Sequence, residues 1–337
     1  MKTAVIFGGS GFIGTFYAQH LISDENYSKV YLFDIESTSN KNFKYREKLV
    51  SSLNEIVEIK GDVSEPIDWM PFEEIDLIAN FAAVHREPGH KHNEYYECNI
   101  NGAENVCKWA EKINCNNIIF TSSIAPYGSS EEIKDELSTP LPTSAYGGSK
   151  LVAEKIHQIW CSKNKNRKLV IVRPGVVFGP GEGGNVSRLI KAVLKRYFFY
   201  MGNKNTRKAG TYVKELCIAL TWVYKNRLQD NNFVLFNMTM NPGPSIEEYV
   251  NEIKKILNIK SFTPSVPKFL LLIFSFAIEL FAKPLGIKHP FSPVRIHKLS
   301  NSNNILPTYL IDHGYTYKYS LEEALRDWKD DCPEEWE

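Results

Sequence analysis

The run Ala4-Val5-Ile6-Phe7 leads directly into Gly8-Gly9-Ser10-Gly11-Phe12-Ile13-Gly14. An apolar run that ends in glycines three apart reads as strand, tight turn and helix. Gly8 permits the turn, Gly11 lets backbone approach a pyrophosphate, and Gly14 lets the following helix pack close to its strand. Phe12 and Ile13 fall in the first helical turn, where free N–H groups and the positive dipole end face an anion. These five residues predict a dinucleotide site.

A second apolar run, Val30-Tyr31-Leu32-Phe33, ends in Asp34, 20 residues past Gly14. A carboxylate there accepts hydrogen bonds from the adenosine ribose and repels a 2'-phosphate, and residues 35–40 offer no Arg or Lys to compensate. The expected cofactor is NAD. With 40 Lys plus Arg against 39 Asp plus Glu, the chain has no overall field for DNA or RNA, which argues against a nucleic-acid partner. The six cysteines form no C-x-x-C pair and no metal-ligand spacing, so free thiols and no metal are expected. Strand one begins within three residues of the start, which leaves no room for a leader and predicts a cytoplasmic protein.

A third strand, Ile56 to Ile59, closes on Gly61-Asp62-Val63. Asp62 has two readings, an adenine contact or the start of a turn. The fourth strand, Asp76 to Asn80, exits through Phe81-Ala82-Ala83, small enough at its end for a diphosphate and ribose to lie against backbone. Helical periodicity over Asn93 to Lys112 precedes a fifth strand, Ile118-Ile119-Phe120. Such alternation predicts an α/β fold with a parallel, doubly wound sheet. Ligands in these sheets sit at the carboxyl ends of strands, so Ser122 and Ser123, just past the fifth, should point into the cofactor crevice.

Tyr146-Gly147-Gly148-Ser149-Lys150 opens a helix reaching about Cys161. Spacing of four stacks Tyr146 and Lys150 on one helix face. A phenol of pKa ~10 is a poor base at neutral pH, but a neighbouring ammonium favours the phenolate, and each ~1.4 kcal/mol of that preference makes the phenol a tenfold stronger acid. Tyr146 can then act as acid and base.

After a sixth strand, Leu169 to Arg173, the loop Pro174 to Gly181 breaks the alternation. The expected division is a dinucleotide-binding Rossmann domain over residues 1–178 and a smaller α/β substrate domain over 179–337, with some later segments returning to the first. Within the second, Phe269 to Ala282 is almost wholly apolar. Its 14 residues would make a helix of ~21 Å, too short to span a ~30 Å hydrocarbon core. It is either a buried core helix or a segment lying in the headgroup region, with Lys283, Lys288, Arg295 and Lys298 nearby for anionic lipid.

Taken together, these residues resemble the extended short-chain dehydrogenase/reductase family, the NAD-dependent sugar epimerases and dehydratases. The likeness covers nearly the whole chain through the glycine turn, Asp34, Asp62, Ala82-Ala83, Asn99-Ile100-Asn101-Gly102, Ser123, Tyr146, Lys150, Arg173-Pro174 and Tyr212-Val213-Lys214-Glu215. It implies that Tyr146 is the acid/base, that Lys150 binds the nicotinamide ribose and lowers the Tyr pKa, and that Ser123 orients the reacting hydroxyl. Asn99, Val63 and Pro174 join the cofactor residues on the same grounds. It also implies a homodimer built from the helices at 93–112 and 146–161. Ser123-Ile124 stands where 4,6-dehydratases carry Asp-Glu, so dehydration is not expected.

Val84-His85-Arg86, Tyr95-Tyr96-Glu97, the loop after Arg173 and Gly184-Asn185-Val186 are similar to a narrower branch. Its members are epimerases of undecaprenyl-diphosphate-linked N-acetylhexosamines and related 4-keto-sugar reductases of bacterial surface-polysaccharide synthesis. On that likeness Val84, His85, Arg86, Ser122 and Ser123 face the sugar, while Asn185, Lys208 and Arg295 suit its diphosphate. His85 and Arg86 also read as a loop pair satisfied by neighbours. The expected activity is C4 epimerisation of a diphosphate-linked hexosamine or hexose, with a 4-keto-sugar reductase as the alternative. A sterol-type dehydrogenase and a non-catalytic NAD-binding scaffold rank lower. A lipid-linked substrate would place the protein on the inner face of the cytoplasmic membrane through residues 269–282.

Overall fold

A computed structural model of the protein describes residues 1–39, 44–85, 89–128, 130–229, 231–282 and 302–337. The first half runs β1 (Thr3–Phe7), α1 (Phe12–Ser23), β2 (Lys29–Asp34), α2 (Lys44–Val50), β3 (Ile56–Lys60), β4 (Leu77–Asn80), α3 (His92–Lys112), β5 (Asn117–Thr121), β6 (Ser130–Lys134) and α4 (Ala145–Ser162). The second runs β7 (Lys168–Pro174), β8 (Val176–Phe178), α5 (Asn185–Leu194), β9 (Tyr200–Met201), β10 (Gly210–Tyr212), α6 (Val213–Arg227), β11 (Phe233–Met238), α7 (Ile246–Leu257), β12 (Ser265–Val266), α8 (Lys268–Ala282) and β13 (Asn303–Ile305). Two further helices, α9 (Thr308–Asp312) and α10 (Leu321–Asp331), follow.

Seven parallel strands form the main sheet in the order β11-β7-β5-β4-β1-β2-β3. The chain winds outward from β1 in one direction and from β4 in the other, so the switch point lies between those strands, where such sheets bind ligands. Val5 and Phe7 face one apolar layer, with Trp109 of α3 and Trp160 of α4. Ala4 and Ile6 face the other, with α1, α6 and α7. Burial on both faces is why the strands read as continuous apolar runs rather than alternating ones.

One segment assigned by number to the second domain belongs to the main sheet. Phe233–Met238 pairs with β7 residue for residue from Leu169 to Pro174. The short pairs β8–β10, β9–β12 and β6–β13 build the smaller region. These strands carry only two to five residues each, too few for periodicity to reveal.

The segment at 269–282 is helical, as expected, but its described side chains do not form a core. Leu271 is buried, whereas Phe269, Leu270, Ile273, Phe276 and Ile278 are exposed, three of them by 60% or more. Among the described residues no helix is long and apolar enough to cross a membrane. Arg86, Arg295 and the basic residues at 283, 288 and 298 lie outside the described residues.

Candidate active site

The glycine turn meets the geometric demands of a pyrophosphate cradle. Gly8 has φ +75°, and a Cβ there would stand 2.6 Å from the Ala82 backbone nitrogen, so the β1 turn and the β4 exit lie back to back at the switch point. A Cβ on Gly14 would meet the Gly8 carbonyl oxygen at 2.3 Å. Helix α1 thus sits tight on its own turn. Its cap residue, Gly11, has no side chain to occupy the first N–H groups, and no acidic residue lies in the first turn to oppose an anion.

Asp34 ends β2 beside this turn. Its carboxylate accepts from the Ser10 backbone N–H (3.0 Å) and more weakly from that of Glu36 (3.3 Å), which leaves acceptor capacity for ribose hydroxyls. Burial pushes its pKa upward, against the pull of those backbone donors. Glu58 holds Ser37 (2.7 Å) and Thr38 of the same loop, adding a second carboxylate on this side. A cation that sequence spacing did not reveal approaches from α2: the nearly buried Arg46 guanidinium lies 5.8 Å from the Phe12 ring centroid. Phe12 also packs edge-on to Phe16, and Ile13 leans on the α1-side core.

Several expected cofactor residues also bond or pack within the protein itself. Asn99 is buried, and its amide brackets Val84, accepting from the Val84 N–H (2.9 Å) and donating to the Val84 carbonyl (3.1 Å). It also donates to Ser149 Oγ of α4 at 2.9 Å. Asn99 therefore fixes the β4 exit loop to α4. Val63 turns its side chain into the core against Gly102 of α3. Asp62 is exposed and accepts from the N–H and hydroxyl of Ser64 at 2.8 and 2.7 Å, the turn-starting alternative. Phe81 packs edge-on to Tyr17, Ala82 and Ala83 are half-buried at the exit, and the Pro174 carbonyl accepts from the Ile124 N–H (3.1 Å).

Ser123 lies past the carboxyl end of β5, half-buried. Its Oγ accepts from the Ala125 N–H at 3.1 Å, so its own hydrogen is free to be donated. Ser122 differs from the expectation. A strand's side chains alternate, and Ser122 faces the α4 side, where its hydroxyl donates to Glu154 in a fully packed interior. It does not line the crevice.

Helix α4 is started by Ser144, whose hydroxyl accepts from the Gly147 N–H (3.1 Å). Gly147 leaves no room for a side chain, since a Cβ would stand 2.6 Å from the Ala125 carbonyl oxygen, and Gly148 is tight, with Tyr96 Oη 3.1 Å from such a Cβ. Gly147 brings the Tyr146 turn close to the loop carrying Ser123, and Gly148 brings it close to α3. Tyr146 is half-buried with its ring 6.2 Å from that of Tyr95. Lys150 goes deeper, with its ammonium 4.3 Å above the Phe120 ring and the residue 2% exposed. Burial pulls its pKa down to about 7, opposed chiefly by the charge of Glu154. Phe120 is stacked in turn on His157, which burial keeps neutral with a pKa lowered to about 4. The carbonyl of Ala153 accepts from His157 Nδ1 (2.8 Å), so Nε2 accepts from Asn80 (3.2 Å).

The remaining expected substrate residues are scattered. Val84 is half-buried and His85 exposed beside the β4 exit. Asn185 opens α5, exposed, and accepts from Arg188 (2.7 Å). The same helix start already holds a carboxylate, because Glu182 accepts from the N–H and hydroxyl of Ser187 (3.0 and 2.9 Å). Lys208 bridges to Asn303 along the backbone. No group of side chains among the described residues could hold a metal ion.

A parallel doubly wound sheet, a glycine cradle at its switch point, a carboxylate after β2 and a Tyr–Lys pair on α4 define a dinucleotide-dependent enzyme of the short-chain dehydrogenase/reductase build. Residues 4–237 match the NAD dependent epimerase/dehydratase family, and the chain belongs to that family. It is 28% identical, over 95% of its length and 92% of the relative's, to the N-acetyl-alpha-D-glucosaminyl-diphospho-ditrans,octacis-undecaprenol 4-epimerase of Escherichia coli O157:H7. It is 27% identical to the UDP-glucose 4-epimerase of Lactobacillus helveticus, over 77% of this chain and 82% of that one. The structure of the UDP-glucuronic acid 4-epimerase from Bacillus cereus, in complex with UDP-glucuronic acid and NAD, superposes with a TM-score of 0.73 at 19% identity, covering 98% of this chain and 99% of that one. NAD is the cofactor of the family, and the cradle and Asp34 fit it.

Proposed function

We propose that the protein epimerises C4 of a diphosphate-linked hexosamine or hexose whose carrier is a membrane lipid. The observation that carries the chemistry is the close packing of the α4 start on the turn after Ser123, where a Cβ on Gly147 would stand 2.6 Å from the Ala125 carbonyl oxygen, with the Lys150 ammonium over Phe120 of β5. NAD, when bound, supplies hydride acceptance from C4 and its return. Tyr146 takes the C4 hydroxyl proton and later gives it back, so the protein ends each turnover in the protonation state in which it began. Ser123 donates its hydroxyl hydrogen to the C4 oxygen. Lys150 holds a ribose hydroxyl and favours the phenolate. The Asn99 bracket keeps the β4 exit loop and α4 in register while the sugar turns over.

The carrier assignment is supported by α8. Its exposed Phe269, Ile273 and Phe276 lie three or four residues apart, on one helix face. Pairing of β9 with β12 sets Tyr200 and Met201 beside Ser265 and Val266, and neither residues 195–203 nor residues 258–268 contain Asp or Glu. Lys204 and Arg207 are paired with Glu247 and Glu248, but Lys195, Arg196 and Lys260 stand exposed beside the exposed Tyr197 and Phe262. Apolar and aromatic groups bordered by cations suit an anionic bilayer surface. A site at the inner face of the membrane meets a polyprenyl-linked sugar where it resides. Exposed Tyr96, Val152 and Ile159 on α3 and α4 support an isologous dimer, for which sedimentation at twice the chain mass is the check.

The experiment offers undecaprenyl-diphosphate-linked and UDP-linked N-acetylhexosamines side by side, in vesicles with and without anionic lipid. The lipid-linked sugar should turn over faster on anionic vesicles. The variant F269S/I273S/F276S should lose flotation with those vesicles, and the associated rate gain, while keeping its melting temperature within a few degrees. Equal turnover of both carriers with no flotation of the wild type would return the substrate to a soluble nucleotide sugar, and a product only in the presence of consumed NADH would make the enzyme a reductase.

A further inference from the structure

One turn beyond Lys150 on the same helix face lies Glu154, fully buried. Its carboxylate accepts from Arg173 twice, Nε to Oε1 at 2.8 Å and Nη2 to Oε2 at 2.6 Å, and from the hydroxyl of Ser122. Arg173 ends β7 and lies 4.7 Å over the ring of Tyr127. Tyr127 sits in the short turn after Ser123 and donates to Asn237 at the end of β11 (2.8 Å), whose amide donates to the Leu306 carbonyl (2.9 Å). One buried chain thus joins α4, the β5 exit, β7 and β11. A bidentate arginine–carboxylate pair of this depth is costly to desolvate, and replacing it with apolar residues of similar volume is often neutral or stabilising. Stability alone therefore gives weak grounds for it.

We propose that Glu154 is a positioning residue for the reaction: tied by Ser122 and Arg173, it fixes the β5 exit against α4 and keeps the Lys150 ammonium charged and in place. The inference rests on the roles proposed above for Tyr146 and Lys150. Among the described ion pairs Lys150 has no carboxylate, because Arg173 and Ser122 occupy Glu154. The cation feels the carboxylate's field yet stays free to reach a ribose. The other groups near it are Cys98 from α3, His157 on its own helix and the Phe120 ring from β5, with Tyr146 one turn earlier on the same helix and Arg173 bound to Glu154. Of these, His157 is neutral and Cys98 is a thiol whose pKa burial raises. Glu154, one helical turn away, is then the carboxylate whose charge acts on Lys150.

The test compares E154Q and E154Q/R173M with wild type. In cofactor-free protein carrying carbon-13-labelled lysine, with the Lys150 signal assigned through K150R, the Lys150 midpoint should fall by about one pH unit or more in both variants. Activity that needs Lys150 charged is lost as pH rises through that midpoint, so the alkaline limb of kcat should move to lower pH by the same amount with KM little changed. E154Q leaves a buried arginine unpaired and should melt lower. The double variant removes both charges and should recover the melting temperature while keeping the shifted midpoint. A double variant with wild-type midpoint and pH profile would reduce the pair to a packing element and overturn the proposal. Wild-type turnover in Y146F would instead sink the site assignment itself, so the two failures are distinguishable.

Discussion

Tyr146→Phe should leave NAD binding nearly intact and lower turnover by roughly 10² to 10⁴, the range for loss of a positioned acid/base. The ring is half-buried against Tyr95 and can keep that packing without its hydroxyl. What is lost is the group proposed to take and return the proton of the C4 hydroxyl. Lys150 does not replace it, because its ammonium is held over Phe120 in the interior. Cofactor affinity from fluorescence titration, measured beside steady-state turnover, separates the two effects. A variant with near-normal turnover would remove Tyr146 from the mechanism.

Gly14→Ala should be the most damaging methyl group that can be added to the cofactor cradle. Its Cβ would stand 2.3 Å from the Gly8 carbonyl oxygen, 2.7 Å from that of Gly9 and 2.8 Å from the Gly9 Cα, all backbone atoms with no rotamer to yield. Relief requires α1 to move off its turn, carrying the free N–H groups away from the pyrophosphate. Overpacking of this kind costs about 1–3 kcal/mol, and if that strain falls on the cofactor-competent turn it corresponds to an NAD affinity lower by roughly 5- to 150-fold. Gly243→Ala is the matched control, since its Cβ would meet only the Met240 carbonyl at 3.9 Å. Isothermal titration of both variants checks the pair. Equal affinities would mean that the close approach of helix to turn does not govern cofactor binding.

The parts of this molecule legible in sequence are those dictated by neighbouring residues. The glycine turn, the strand-ending Asp34 and the Tyr146–Lys150 spacing each carry their own stereochemical requirement, and each stands at the place that requirement implies. Ser122 escapes a local reading because its partner, Glu154, is 32 residues away and becomes a neighbour only when α4 packs on β5. The i, i+4 repeat from Tyr146 through Lys150 to Glu154 is nonetheless visible in the sequence, and it points to the buried pair. Chain order puts Phe233–Met238 in the second region, whereas its apolar run is satisfied only beside β7. Composition leaves α8 open between two environments, since a stretch apolar on nearly all sides suits a core and a bilayer surface equally. The exposure of Phe269, Ile273 and Phe276 argues against the core and leaves the bilayer surface to the flotation experiment.

In the proposed reaction a hydrogen leaves C4 and returns to the opposite face within one bound encounter. This is tested most directly with a lipid-linked N-acetylhexosamine deuterated at C4, incubated with purified protein and no added reductant. The account predicts the C4 epimer with its deuterium retained at C4, formed from wild type and not from Y146F. An epimer that has exchanged its C4 deuterium for solvent hydrogen, or a 4-keto product that accumulates without returning to either epimer, would contradict it.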